Sequence, residues 1–187
     1  MKDIFEIRIH GRGGQGAKTA AQFIVEAALS KGKHIQSFPE YGPERAGAPM
    51  KAFARISDKE IRTYAPVVNP EVVIVIDHTL LDSVDVTEGL GEDGVLLVNT
   101  PHDSDSIKKQ LKFNGKCMTV DATKIAIEAV GRNLPNTPMI GALIKATGCI
   151  SMDDIEESIN HKFLKKIGEE KTKATINAVK KAYEEVK

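Results

Sequence analysis

Ile4-Phe5-Glu6-Ile7-Arg8-Ile9-His10-Gly11-Arg12-Gly13-Gly14-Gln15-Gly16, followed by the stretch from Ala17 to Leu29, decides the fold class. Phe5, Ile7 and Ile9 alternate with Glu6 and Arg8, which is the period of a strand over Ile4 to His10. Gly11 to Gly16 then interrupts regular structure. From Ala17 the period becomes helical, with Ala20, Phe23, Ile24, Ala27 and Ala28 on one stripe and Gly32 as the stop. A short strand over His34 to Phe38 completes a β–glycine loop–α–β unit at the start of the chain.

Outward from that unit, Pro39 to Pro49 reads as a loop with three prolines and two glycines. Lys51 to Ser57 and Glu60 to Tyr64 read as short strands joined at Asp58-Lys59, a hairpin. Glu71 to Asp77 is a β-branched run of the kind buried on both faces of a parallel sheet. Val95 to Asn99 and Met118 to Val120 are two more such strands. Helical stretches fall over Leu80 to Val84, Ser104 to Leu111 and Ala122 to Val130. Pro138 to Ala146 is a helix with Thr137 as cap and Pro138 at its first position. Ser151-Met152-Asp153-Asp154 opens the next helix with a capping box. Glu169 to Val186 is a terminal helix whose inward stripe is Ile176, Val179 and Tyr183. The expected fold is α/β: a Rossmann-like, mostly parallel sheet flanked by helices, with a short hairpin. Residues 1–187 form one domain in this reading, with a helical C-terminal tail over about 138–187.

The chain has 187 residues, with 26 Lys+Arg against 26 Asp+Glu and a formal net charge of zero. Hydrophobic residues make up 41% and charged residues 28%, which excludes disorder and a membrane protein. The longest apolar run, Val72 to Ile76, is far too short to span a bilayer. Met1-Lys2-Asp3-Ile4-Phe5-Glu6 carries acids where a signal peptide needs an apolar stretch, so a cytoplasmic location is expected. Charge balance argues against a dedicated nucleic-acid binder. The two cysteines, Cys117 and Cys149, have no CxxC spacing. They are expected as reduced, buried thiols, and no iron–sulfur cluster or four-cysteine zinc site can be built from this chain alone. Any redox chemistry must then come from a bound organic cofactor or from partner chains.

Gly11-Arg12-Gly13-Gly14-Gln15-Gly16 has GxGxxG spacing between a strand and a helix. Glycines permit a tight turn and close backbone approach, and exposed N–H groups at a helix start can hold a phosphate. A nicotinamide fingerprint needs an acid about 20 positions on to bind ribose. That region reads Gln36-Ser37-Phe38-Pro39, and the first acid is Glu40 inside the proline-rich stretch. The dinucleotide reading loses its second element, while a loop that only packs helix against sheet stays open.

The most unusual stretch is Ser37-Phe38-Pro39-Glu40-Tyr41-Gly42-Pro43-Glu44-Arg45-Ala46-Gly47-Ala48-Pro49. Its prolines fix φ and its glycines permit positive φ, so an ordered irregular loop is expected. Arg45 can pair with phosphate or carboxylate, and Tyr41 offers an aromatic face and a hydroxyl. Tyr41, Glu44 and Arg45 are therefore candidates for a substrate contact or a subunit seam. Other residues carry less. His10 reads as a hydrogen-bonded structural histidine. Asp77-His78 invites an acid–base reading, but adjacent strand residues point to opposite faces. Asp121 is a helix N-cap. Lys165-Lys166 and Lys180-Lys181 look like solvated helix faces. No catalytic triad and no metal-ligand cluster is visible.

Taken together, three stretches resemble the gamma subunits of pyruvate:ferredoxin oxidoreductases, within the wider 2-oxoacid:ferredoxin oxidoreductase family. They are Arg8 to Gly16, Ser37 to Phe53 and Pro135-Asn136-Thr137-Pro138-Met139-Ile140-Gly141-Ala142. The resemblance implies a place in an oxygen-sensitive complex of anaerobic metabolism. Thiamine diphosphate there decarboxylates a 2-oxoacid, iron–sulfur clusters carry two electrons to ferredoxin, and coenzyme A accepts the acyl group. It implies alpha, beta and delta subunits as partners, no cofactor carried by this chain alone, and an isolated chain without activity. Because coenzyme A is rich in phosphate and helix starts form anion sites, Gly11, Gly13, Gly14, Gln15, Gly16, Asn136 and Thr137 are the candidate contacts for it. The Ala46-Gly47-Ala48-Pro49-Met50-Lys51-Ala52-Phe53 form looks closer to pyruvate and branched-chain enzymes than to 2-oxoglutarate enzymes. Three alternatives stay open: a 2-ketoisovalerate enzyme's gamma subunit, a self-contained nucleotide-binding protein or NAD-dependent dehydrogenase, and an architectural subunit with a vestigial glycine loop.

Overall fold

The first strand, β1 (Ile4–Arg12), runs two residues further than its alternation foretells. In the computed structural model, which describes residues 3–41 and 47–187, Gly11 and Arg12 remain extended because β3 (Pro49–Ser57) pairs with them. Gly11 stands opposite Met50 and Arg12 opposite Pro49. The expected break at Gly11 thus begins only at Gly13. Helix α1 (Ala17–Leu29) has the expected bounds.

The second strand, β2 (His34–Tyr41), continues past Phe38 through Pro39. A proline lacks the ladder donor, and it is tolerated here because β2 lies at the sheet edge. The expected hairpin between Lys51–Ser57 and Glu60–Tyr64 does not form. β3 pairs antiparallel with both β2 and β1, so the hairpin is β2–β3. Residues 60–64 contain no strand. The Thr63 and Ala65 carbonyls are instead taken by Arg55 Nη1 at 3.5 Å and Nη2 at 2.6 Å.

The remaining strands are β4 (Val72–Val75), β5 (Val95–Asn99) and β6 (Lys116–Val120). The sheet order is β2-β3-β1-β4-β5-β6, with β1, β4, β5 and β6 mutually parallel and β3 reversed. The sheet is mostly parallel, as expected, but β2 is not the neighbour of β1. The stretch expected as helical over Leu80 to Val84 is a 3₁₀ turn, His78–Asp82. Helices α2 (Ser104–Leu111) and α3 (Ala122–Val130) start under side-chain caps. Asp103 accepts from the Ser106 N–H, and Asp121 accepts from the Lys124 N–H at 2.9 Å.

The tail comprises α4 (Pro138–Thr147), α5 (Met152–Ile167) and α6 (Glu169–Glu185). The Ser151 capping box forms with Asp154. Thr137 occupies the cap position of α4 at φ −77°, ψ −47°, but its side chain makes no capping bond. Ile176 and Val179 are buried as the stripe requires, and Tyr183 packs partly exposed against the core.

Alternation along the central strands divides two cores. Val72, Ile74, Val95 and Leu97 join Ile7 and Ile9 under α1 and α3 to α6, while Val73, Val75, Leu96 and Val98 face the 3₁₀ turn and α2. Both faces are buried, as the β-branched runs demand. β1 breaks the rule on its second face, where Arg8 and His10 are almost fully buried. Arg8 Nη2 donates to the carbonyls of Val86 and Glu88. Among the described residues, Arg8 Nε and His10 Nε2 have no hydrogen-bond partner. No described helix is long and apolar enough to cross a membrane.

Candidate functional site

Between β1 and α1 the chain turns on Gly13-Gly14-Gln15-Gly16, with Gly14 at φ +97° and Gly16 at φ +80°. Both values fall in the left-handed region that favours glycine. Gly16 is the N-cap of α1 and offers no side chain to its first-turn N–H groups, and no acidic residue sits in that turn. The helix start therefore presents uncapped donors and the positive end of its dipole.

Three N–H groups of the turn are used internally. Arg12 donates to Gln15 Oε1 at 2.7 Å, Gly13 to the Ala48 carbonyl at 3.0 Å, and Gln15 to the Arg12 carbonyl at 3.0 Å. The Gln15 side chain also donates from Nε2 to Asp77 Oδ2 at 2.6 Å, and Arg12 Nε reaches the same oxygen at 3.2 Å. Burial alone would raise the Asp77 pKa. Hydrogen bonds from Thr79 and Gln15, with the Arg12 guanidinium, outweigh it and hold the carboxyl below its ordinary value.

Beside the turn lies a cleft of about 400 Å³. Its lining joins Gly14, Gly16 and Thr19 to Arg132, Leu134, Asn136 and Thr137 and to Phe163, Ile167, Lys171 and Thr175. Asn136 Nδ2 donates to the Gly16 carbonyl at 3.4 Å. The fold thus brings the glycine turn and the Asn136-Thr137 segment into one cavity. A dipole end, two basic side chains and apolar walls suit a ligand that combines phosphate with an apolar body. A larger open groove of about 570 Å³ between α1 and α5 gathers Glu26, Ser30, Asp154, His161 and Lys162. It contains none of the motif residues, and its Lys162–Glu26 pair is satisfied at 3.2 Å.

Gly14, Gly16, Asn136 and Thr137 line the cleft, whereas Gly11, Gly13 and Gln15 do not. A Cβ on Gly11 would stand 3.4 Å from that of Ala17, so Gly11 packs against the first turn of α1. Tyr41 ends β2 opposite Met50. Glu44 and Arg45 lie outside the described residues. Arg132, Lys171, Thr19 and Asp77 were not legible as site residues. The first two are single charges in polar stretches, and the partner of Asp77 is far away in sequence.

His10 is not the hydrogen-bonded residue expected. Burial, then the nearby charges of Arg8 and Lys51, push its pKa down to about 3. Lys180 and Lys181 are not merely solvated: they pair with Glu156 at 2.7 Å and Glu128 at 2.6 Å. Cys117 and Cys149 are free thiols, and burial raises Cys117 to about 11. Because β3 separates β2 from β1, the end of β2 does not reach the position from which a dinucleotide fold binds ribose.

The sequence pattern of the family described as pyruvate ferredoxin/flavodoxin oxidoreductase matches residues 6–185. The pyruvate synthase subunit PorC of Thermotoga maritima is 54% identical over 186 residues, covering 100% of this chain and 96% of its own length. The pyruvate/ketoisovalerate oxidoreductases common subunit gamma of Thermococcus kodakarensis is 46% identical over 179 residues, covering 95% and 97%. The crystal structure of pyruvate oxidoreductase subunit PORC from Thermotoga maritima superposes with a TM-score of 0.91 at 51% identity, covering 100% of this chain and 98% of that one.

Proposed function

This chain belongs to the pyruvate ferredoxin/flavodoxin oxidoreductase family, and from that premise we propose that it is the gamma subunit of a pyruvate:ferredoxin oxidoreductase, or pyruvate synthase. Pyruvate, coenzyme A and two oxidised ferredoxins give acetyl-CoA, carbon dioxide, two reduced ferredoxins and a proton, and the reaction also runs in reverse. Thiamine diphosphate supplies the decarboxylation chemistry and iron–sulfur clusters the electron path. With two cysteines far apart in sequence, this chain cannot ligate a cluster, so both belong to alpha, beta and delta partners. The whole chain acts as one domain of a cytoplasmic complex.

Within that complex the chain holds coenzyme A. One observation carries this reading: the uncapped start of α1, the glycine turn and Asn136-Thr137 face a single cleft that also contains Arg132 and Lys171. Phosphates suit the helix start and the two cations, and the pantetheine arm suits the wall of Leu134, Phe163 and Ile167. A second reading has a specific basis. The Thermococcus relative is described as a subunit common to pyruvate and ketoisovalerate enzymes, so this chain also serves a 2-ketoisovalerate complex.

The test is Gly14→Val in the assembled, anaerobically purified complex. A Cβ at Gly14 meets no atom within 4 Å, so the turn is altered without a core clash, although φ is strained. The apparent KM for coenzyme A should rise about tenfold while single-turnover decarboxylation of pyruvate persists. A stable, assembled variant that handles coenzyme A normally overturns the assignment.

A further inference from the structure

The turn that faces the cleft is made largely of glycine and would be mobile if left to itself. It is tied down by one carboxylate, that of Asp77. Asp77 sits just beyond β4 and takes donors on both oxygens. Oδ2 accepts from Gln15 Nε2 at 2.6 Å and Arg12 Nε at 3.2 Å, and Oδ1 accepts from the Thr79 N–H at 3.0 Å and Thr79 Oγ1 at 2.6 Å. Gln15 bridges back, since its Oε1 receives the Arg12 N–H at the base of the same turn. Arg12 extends the bracket to Thr79 Oγ1 at 2.9 Å and to the Gly47 carbonyl at 3.4 Å, where the hairpin tip rejoins the sheet. None of Arg12, Gln15 and Asp77 lines the cleft.

We infer that Asp77 is a positioning residue for coenzyme A: through Gln15 and Arg12 it fixes the Gly13–Gly16 turn so that its remaining donors face the cleft before the ligand arrives. The inference rests on the reading that this cleft holds coenzyme A. Its physical content is preorganisation. A turn with three glycines in four residues has large conformational freedom to lose, and a ligand that must order it binds more weakly. Asp77→Asn retains an acceptor for Thr79 but sets an amide N–H₂ against that of Gln15. Gln15→Met removes the bracket from the other side and leaves the Thr79 contacts intact.

The experiment uses the assembled complex, with coenzyme A binding measured by calorimetry and pyruvate decarboxylation by single turnover. Asp77→Asn and Gln15→Met should each weaken coenzyme A binding about tenfold, with the loss absent from decarboxylation. If Gly14→Val weakens binding but Asp77→Asn and Gln15→Met do not, Asp77 only caps the 3₁₀ turn and the inference fails alone. If none of the single variants, Gly14→Val included, affects coenzyme A, the reading of the cleft itself is wrong. Should Asp77→Asn fail to assemble, Gln15→Met decides the matter.

Discussion

Asn136 and Gly16 are 120 residues apart, yet the Asn136 carboxamide donates to the Gly16 carbonyl, and a Cβ on Gly16 would lie 2.7 Å from Asn136 Nδ2. Gly16→Ala should therefore carry two penalties, the positive φ and the collision with a buried side chain, together about 2 kcal/mol or more. In an Asn136→Ala background only the backbone penalty, about 1 kcal/mol, should remain. Urea denaturation of the four-member cycle reads this difference, and purely additive costs would refute the collision.

Arg55 should be among the most sensitive positions outside the cleft. It is 2% exposed and pairs with Glu6 at 2.8 Å, Gln36 at 2.7 Å and the Ala65 carbonyl at 2.6 Å, with its guanidinium 5.4 Å from the Phe38 ring centre. Arg55→Met strands these acceptors together with the Thr63 carbonyl and should cost about 3–5 kcal/mol. Hydrogen exchange over residues 60–67 should rise at the same time, because those carbonyls anchor a segment without strand pairing. A stable variant with unchanged exchange would contradict this.

His10 should make the protein acid-sensitive. Its folded pKa is about 3, against about 6.5 in an unfolded chain. Between those values the unfolded state binds a proton that the folded state excludes, so stability falls as pH falls from about 6.5 toward 3. The slope approaches about 1.4 kcal/mol per pH unit. Subtracting the urea-derived stability profile of His10→Leu from that of the parent should isolate this slope. A flat difference across pH 6.5 to 4 would show that the imidazole is not excluded from protonation.

Gly141→Ala tests the contact between α4 and α6. A Cβ there would stand 2.0 Å from the Val179 carbonyl oxygen, which is backbone and cannot rotate aside. The helices must separate, and a loss of about 2 kcal/mol or more is expected from thermal unfolding. An unchanged melting temperature would mean the helices are not packed this closely.

Much of this was readable in advance, and the reasons are local. Ala17–Leu29 announced itself by its 3.6-residue period, Asp121 and Ser151 by their position ahead of one, and Val72–Val75 by β-branching. The position of β3 was not readable, because alternation marks a strand without naming its partner. Pro39 and Pro49 looked like loop residues, yet both belong to strands. At the site, the glycine and Asn136-Thr137 motifs were visible, but Asp77 meets Gln15 from 62 residues away. Arg132 and Lys171 resemble any surface cation until the fold brings them to one cleft.

The interposed strand also sets the order in which the chain can be built. A nascent chain that ends at Tyr41 contains β1, the glycine turn, α1 and β2, yet none of the pairing that joins the two strands. Only when Ser57 has emerged can β3 zip β2 to β1, and β1 gains its other neighbour only with Val72–Val75. The glycine turn is thus synthesised before the strands that flank β1, a delay of non-local closure that an adjacent β1–β2 arrangement would shorten.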